Sequence, residues 1–270
     1  MKDTSGMAHT KMRPEERRVV WLTSWAHSIN HMPELALFAL LPLIGSHFLA
    51  NDTTLGIVAA GGALASGVTA PLGGMLADKI GSRKVLIIYG FTTGILCLVV
   101  AASSSVLMLG ISFRLLGLAL GLYHPVGLTF ISRTVRAHSM AFGYHGIAGN
   151  IGQAIAPAMA AFLAGLFNWR AGFVVLGIIA LSVAISVMLS KAKDPVGKNI
   201  PNVSKTASTN LERKFIVPLT VVFLISILGG FVYRGAFTFM PRHYEINLEY
   251  SIFNIHPITL AAYALSLIHI

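Results

Sequence analysis

Seven stretches of this 270-residue chain, at about 19–46, 55–77, 84–103, 106–131, 140–167, 171–190 and 215–240, stay apolar for the roughly 20 residues a helix needs to cross a bilayer. An eighth begins near Ile252 and runs to the end. Lipid offers the backbone no hydrogen bonds, so a spanning segment must satisfy its own, and these runs are too long for barrel strands. They therefore predict helices. Interior Gly and Pro (Gly61, Gly62, Pro42, Pro71, Pro125, Pro157) suit close helix packing or kinks. The charge content agrees: 11% of residues are Asp, Glu, Lys or Arg, against roughly 25% in soluble domains. With 55% hydrophobic residues, a soluble chain could not cover its surface. A secreted disulfide scaffold, a disordered tail and an ordinary cytosolic enzyme are excluded, and the single cysteine, Cys97, offers no internal disulfide or cysteine metal cluster. The first run follows a charged leader and lacks a small-residue cleavage site, so it is not read as a signal peptide.

The basic residues predict orientation. One set of alternating segments holds 16 of the 20 Lys and Arg residues, among them Arg17, Arg18, Lys79, Arg83, Lys84, Arg133, Arg136 and Lys191. The other set holds only Arg170 and Arg242, while Arg114 and Arg234 lie inside spans. Positive residues are retained on the cytoplasmic side, so a multi-pass plasma (inner) membrane protein with a cytoplasmic N-terminus is expected. The formal charge of +10 is then a topological label facing anionic lipid, and no nucleic-acid partner is expected.

Residues 191–214 (KAKDPVGKNIPNVSKTASTNLERK) form the one long polar interruption. The expected organisation is a leader at 1–18, a six-helix bundle at 19–190, a cytoplasmic linker at 191–214 and the start of a second bundle at 215–264. Six helices, a linker and a restart is the layout of transporters built from related halves. An internal echo agrees: ELALFALLP (Glu34 to Pro42) lies over YRGAFTFMP (Tyr233 to Pro241), matching Phe38 with Phe237 and Pro42 with Pro241.

The loop after the second run reads GGMLADKIGSRKVLI. An acid at a helix end, a glycine turn and a basic cluster let Asp78 meet neighbouring helix termini while Arg83 and Lys84 face the cytoplasm. Gly74, Leu76, Ala77, Asp78, Gly81, Arg83 and Lys84 resemble the loop signature of the major facilitator superfamily, G-x-L-A-D-x-x-G-x-R/K-K. The resemblance implies a conformational latch at Gly74, Asp78, Gly81, Arg83 and Lys84. Arg114 in RLLGLALG, with Gly117 and Gly121 in register, resembles a further motif of that family. GNIGQAIAP, with Gly149, Gly152 and Pro157, resembles its antiporter motif, although Ala156 stands where that pattern has glycine. These three positions equally suit close helix packing. YHPVGLTFISR, FGYHGIAGNIGQAIAP, NHMPELALFALLP and YRGAFTFMP resemble the branch that includes fosmidomycin resistance proteins, over most of residues 19–245. That implies proton-coupled export of small compounds.

An arginine within a bilayer is costly unless paired or hydrated, which marks Arg114 as functional. Glu34 is about 15 residues (~22 Å) into the first helix and Arg114 about 8 residues (~12 Å) into the fourth from the other side. Both then fall near one level of a core about 30 Å thick. Arg114 is the expected partner of Glu34, the one acid in the first six spans, and the pair is expected to couple protons.

His27 and His31 share a helix face with Glu34. Such a set could bind metal, line a water-filled path or pack as satisfied core histidines. The other candidates, His124 and His145, are expected near the cytoplasmic ends, far from Glu34 in depth. The histidines are therefore read as path lining, with no metal and no cofactor expected. Tyr123, Asn150, Gln153 and Arg234 join His27 and His31 as candidates for a substrate cavity, each also able to act as interhelical glue.

The reading is an all-α membrane protein, a major-facilitator-type bundle of six complete spans plus the start of a second bundle. Its expected function is secondary active export of a small organic compound or drug, driven by protons through alternating access. Uptake by proton symport is the alternative within transport, and an intramembrane metalloenzyme using His27, His31 and Glu34 the alternative outside it. No G-x-x-x-x-G-K-[ST] sequence is present, which argues against ATP-driven transport. Expected partners are a small-molecule substrate, protons and the lipid bilayer, with a monomer as the full-length state. A protein of this type would have twelve spans and a second latch, so the chain is expected to be C-terminally truncated. Leu265 to Ile270 (LSLIHI) resembles a translated sequencing adapter.

Overall fold

The computed structural model describes residues 11–194 and 213–247. The expected eighth span, the LSLIHI tail, most of the 191–214 linker and the start of the leader lie outside the described residues, as do the side chains of Phe237 and Pro241. All regular structure among the described residues is helical: α1 (Pro14–Phe48), α2 (Asp52–Ile80), α3 (Ser82–Ala101), α4 (Val106–Gly121), α5 (Tyr123–Thr134), α6 (His138–Leu166), α7 (Trp169–Leu189) and α8 (Arg213–Asn247). Taking α4 and α5 as the two parts of one crossing, seven spans among the described residues are long and apolar enough to cross a membrane. Helix α1 extends beyond its apolar run, starting at a proline whose missing N–H costs nothing at a helix start.

The break between α4 and α5 was not expected. Pro125, in the first turn of α5, has no N–H to offer the Gly121 carbonyl. The chain answers with a tightened turn in which the Leu122 N–H donates to the Ala119 carbonyl at 3.2 Å. Tyr123 and His124 follow directly.

Short turns join the helices. Where α2, α4 and α7 begin, Asn51, Ser105 and Asn168 accept hydrogen bonds from the N–H groups of Thr54 (2.9 Å), Met108 (3.2 Å) and Arg170 (2.9 Å). These three caps share one end of the bundle. At the other end, here the basic end, α2 turns into α3 through Gly81, whose φ of 95° favours glycine.

Three helix pairs make the most extensive contacts: α1 with α6, α3 with α7, and α2 with α4. Small residues let them approach. A Cβ on Gly152 would stand 2.6 Å from the Ser28 Cα of α1, and one on Gly149 2.6 Å from His27 Nδ1. Phe38, Tyr89, Tyr123, Phe130 and Phe173 fill the interior, while Leu64, Val68, Phe162 and Ile178 face outward. Outward apolar side chains suit lipid. Helix α8 lies against α1, and the most apolar stretch of α8 has no buried residue.

Candidate functional site

Four histidines from three helices meet inside the bundle. His27 stacks on His145 of α6 with ring centroids 4.1 Å apart, and lies 5.0 Å from His31 and 5.2 Å from His124 of α5. His31 and His124 are 5.1 Å apart. The sequence expectation sets His124 and His145 far from Glu34 in depth, and their rings meet His27. The depth argument was referred to Glu34, which lies seven residues and about 10 Å further along α1 than His27. His27 itself is level with the other two rings. The kink after α4 turns His124 toward α1, and Gly149 allows α6 to bring His145 alongside.

Hydrogen bonds order this cluster. His27 Nδ1 is 2.8 Å from the His145 carbonyl oxygen, which can only accept, so Nδ1 carries the proton and Nε2 presents its lone pair. That Nε2 faces His31 Nε2 at 3.1 Å. His124 Nε2 lies 3.3 Å from the Asn30 side-chain amide. Tyr123, a candidate for the cavity, is instead fully buried; its hydroxyl donates to the Thr23 carbonyl and its ring stacks on His27. It supports the cluster from behind.

One turn beyond His31, Glu34 forms an ion pair with Arg234 of α8. Arg114 does not reach Glu34. Its guanidinium donates to the Gly110 carbonyl at 2.9 Å and the Ile57 carbonyl at 3.3 Å, in the space left by Gly61, where a Cβ would stand 2.6 Å from Arg114 Nε. Equal depth does not give equal azimuth: α4 turns Arg114 toward α2, so backbone carbonyls rather than a carboxylate satisfy it. Beside the ion pair, the Tyr233 hydroxyl of α8 donates to Gln153 Oε1 of α6 at 3.3 Å. Asn150 is exposed on α6. A cavity of about 430 Å³ lies between α1, α2 and α8, walled by Phe38, Ala59, Ala63, Phe231 and Phe239, with Arg234 and Thr238 as its polar lining.

At the basic end, Asp78 accepts a hydrogen bond of 2.6 Å from Arg133, joining α2 to α5. Arg83 binds two carbonyls at the end of α7, Met188 at 2.8 Å and Ser190 at 2.9 Å, where a cation complements the helix dipole. Its own N–H donates to Asp194 at 2.8 Å. Lys84 is exposed, and Gly74 faces Pro125.

The sequence reading missed Glu16. This carboxylate, ahead of the apolar run, is 2% exposed and accepts from the Arg13 N–H at 2.8 Å and from Arg136 Nε, in the α5–α6 turn, at 3.2 Å. Hydrogen bonds from the Arg13 backbone outweigh burial and, with help from both arginines, hold its carboxyl down at about 2. The spacing Arg13-x-x-Glu16 resembles half of a capping box and was the available signal.

The described residues form an all-helical bundle whose helices are long and apolar enough to cross a membrane and carry polar and charged side chains within their spans, the build of a multi-pass membrane protein. Residues 23–270 match the profile of the Major Facilitator Superfamily, and the chain belongs to that family. It is 27% identical over 155 residues to the protein named "Probable sulfoacetate transporter" of Cupriavidus necator, covering 57% of this chain and 36% of that one. It is also 24% identical over 216 residues to an uncharacterized transporter of Buchnera aphidicola from Acyrthosiphon pisum, covering 78% of this chain and 52% of the relative. The chain thus spans about half or less of the length of these relatives. Among solved structures, a bacterial homologue of human drug peptide transporters superposes with a TM-score of 0.56 at 15% identity, over 82% of this chain and 49% of that one. That likeness shows the fold.

Proposed function

We propose that the protein is a proton-coupled secondary transporter of the fosmidomycin-resistance-like branch that exports a small organic compound from the cytoplasm by alternating access. The observation that carries this reading is the ion pair between Glu34 of the six-helix bundle and Arg234 of α8. A solute in the adjoining cavity that takes the Glu34 carboxylate as its partner in place of Arg234 binds only while Glu34 is ionised. Protonation of Glu34 removes that partner and releases the solute, so proton and solute occupy the site in turn. Arg114, held by carbonyls, anchors α4 to α2 and is removed from direct proton exchange. Asp78 with Arg133, and Arg83 with the end of α7, form the latch that distinguishes the two access states.

The 16-to-2 distribution of basic residues supports a plasma-membrane protein with the basic end in the cytoplasm. The full-length protein works as a monomer. Ala156, in place of the antiporter glycine, favours symport uptake as a second reading.

The test uses everted membrane vesicles with an imposed pH gradient, offering sulfoacetate and fosmidomycin as solutes. The expected result is solute-induced proton movement, in the exchange direction, that Glu34→Gln abolishes. Co-directional movement selects the symport reading, and gradient-driven flux retained by Glu34→Gln overturns the coupling role of Glu34.

A further inference from the structure

The geometry points to a binding site for one divalent transition-metal ion, of the borderline class that includes Zn²⁺ and Co²⁺, formed by His27, His31 and His124. One ring nitrogen from each residue lies within 4.8 Å of the other two. Metal–nitrogen bonds of about 2.0–2.1 Å at a tetrahedral angle separate two ligand atoms by roughly 3.3 Å. His27 Nε2 and His31 Nε2 already stand 3.1 Å apart. A side-chain rotation of the exposed His124 closes the remaining gap, at most 4.8 Å, and leaves a fourth position for water.

The surroundings prepare these rings for a cation. Metal-bound imidazoles usually donate their other N–H to a carbonyl, carboxylate or amide oxygen, which fixes the tautomer and raises ligand basicity. The His145 carbonyl does this for His27, leaving Nε2 bare and aimed into the cluster. Asn30 is placed to do it for His124: a half-turn of its amide presents Oδ1, otherwise without a partner, to His124 Nε2. With the His27 proton on Nδ1, His31 Nε2 donates its hydrogen to His27 Nε2, and a metal ion takes the place of that hydrogen.

The positive charge nearest the cluster on α8, that of Arg234, is paired with Glu34, which offsets part of its effect on a bound cation. Three neutral imidazoles and a water suit zinc, cobalt or nickel and are poor ligands for Ca²⁺ or Mg²⁺, which demand oxygen. His124 is the exposed member and forms the entry. The site is independent of any transport cycle and is tested by binding alone.

The experiment titrates the chain, purified without a histidine tag, with Co²⁺. The expected result is one saturable equivalent with a visible ligand-field band, displaced by Zn²⁺. His31→Ala and His124→Gln each lose the band, while His138→Ala, outside the cluster, retains it. No saturable band in the unaltered chain overturns the site, as does a band that survives both substitutions. A measurement on the unaltered chain covers the case in which a variant misfolds. Zn²⁺ should slow diethyl pyrocarbonate modification of His31 and His124, read by mass spectrometry, without slowing that of His138; equal rates with and without Zn²⁺ overturn the site.

Discussion

Glu34 on α1 and Arg234 on α8 form an ion pair that connects the six-helix bundle to the helix following the polar linker. Both groups are partly shielded, with side chains 20% and 39% exposed, so removing one leaves the other poorly solvated. Arg234→Ala should destabilise the protein by about 1–3 kcal/mol, and the reversed pair Glu34→Arg with Arg234→Glu should recover part of that loss. A double-mutant cycle on thermal unfolding in detergent measures the coupling. A coupling near zero would show that the pair contributes nothing.

Glycines on α6 should divide into two kinds with opposite signs. At Gly152 an added methyl meets the Ser28 backbone, which cannot give way, so Gly152→Ala should cost about 1–3 kcal/mol. At Gly143 a Cβ meets nothing within 4 Å, and Gly143→Ala should stabilise by about 0.5–1 kcal/mol through reduced backbone freedom in the unfolded chain. Paired melting curves give both signs directly.

The Asp78–Arg133 bridge should matter more to conformational exchange than to stability. Asp78 is 58% exposed, so screening limits its contribution to under about 1 kcal/mol. Asp78→Asn should leave the melting temperature nearly unchanged yet alter the distance distribution between spin labels on the basic ends of α2 and α5. An unchanged distribution would remove its role as a latch.

Glu16 should confer an acid-sensitive component of stability. Its folded-state carboxyl is held at about 2, below its ordinary value of 4.5, so the contribution is complete above that ordinary value and disappears as pH falls toward 2. Glu16→Gln should therefore lower thermal stability at neutral pH and flatten its decline between about pH 5 and 2. Parallel slopes for the two proteins over that range would contradict the assignment.

The seven spans among the described residues and the α2–α3 loop were legible in the sequence because each depends on local chemistry: runs of apolar residues, a glycine at positive φ, an acid and two bases at fixed spacing. Partnerships across helices were less so. Depth along a helix follows from counting residues, but azimuth depends on how neighbours pack, which is why Arg114 faces Gly61 and Glu34 meets Arg234. The histidine cluster was hidden by the choice of Glu34 as reference level. Glu16 escaped because its second partner, Arg136, comes from a distant turn. Tyr123 is expected from the sequence to line a cavity, and its hydroxyl donates to the Thr23 carbonyl.

The manner in which α8 is attached has a mechanical consequence. Helices α1 and α6 meet along a seam of small residues in which backbone touches backbone, and such a seam separates only if many contacts fail together. Helix α8 is held at discrete points, Arg234 to Glu34, Tyr233 to Gln153 and Met240 against the core, while its most apolar stretch holds no buried residue. A joint made this way opens one fastener at a time, and water or a passing solute can stand in for each fastener while it is open. Under the proposed alternating-access cycle, the boundary toward α8 is the surface along which the six-helix bundle slips.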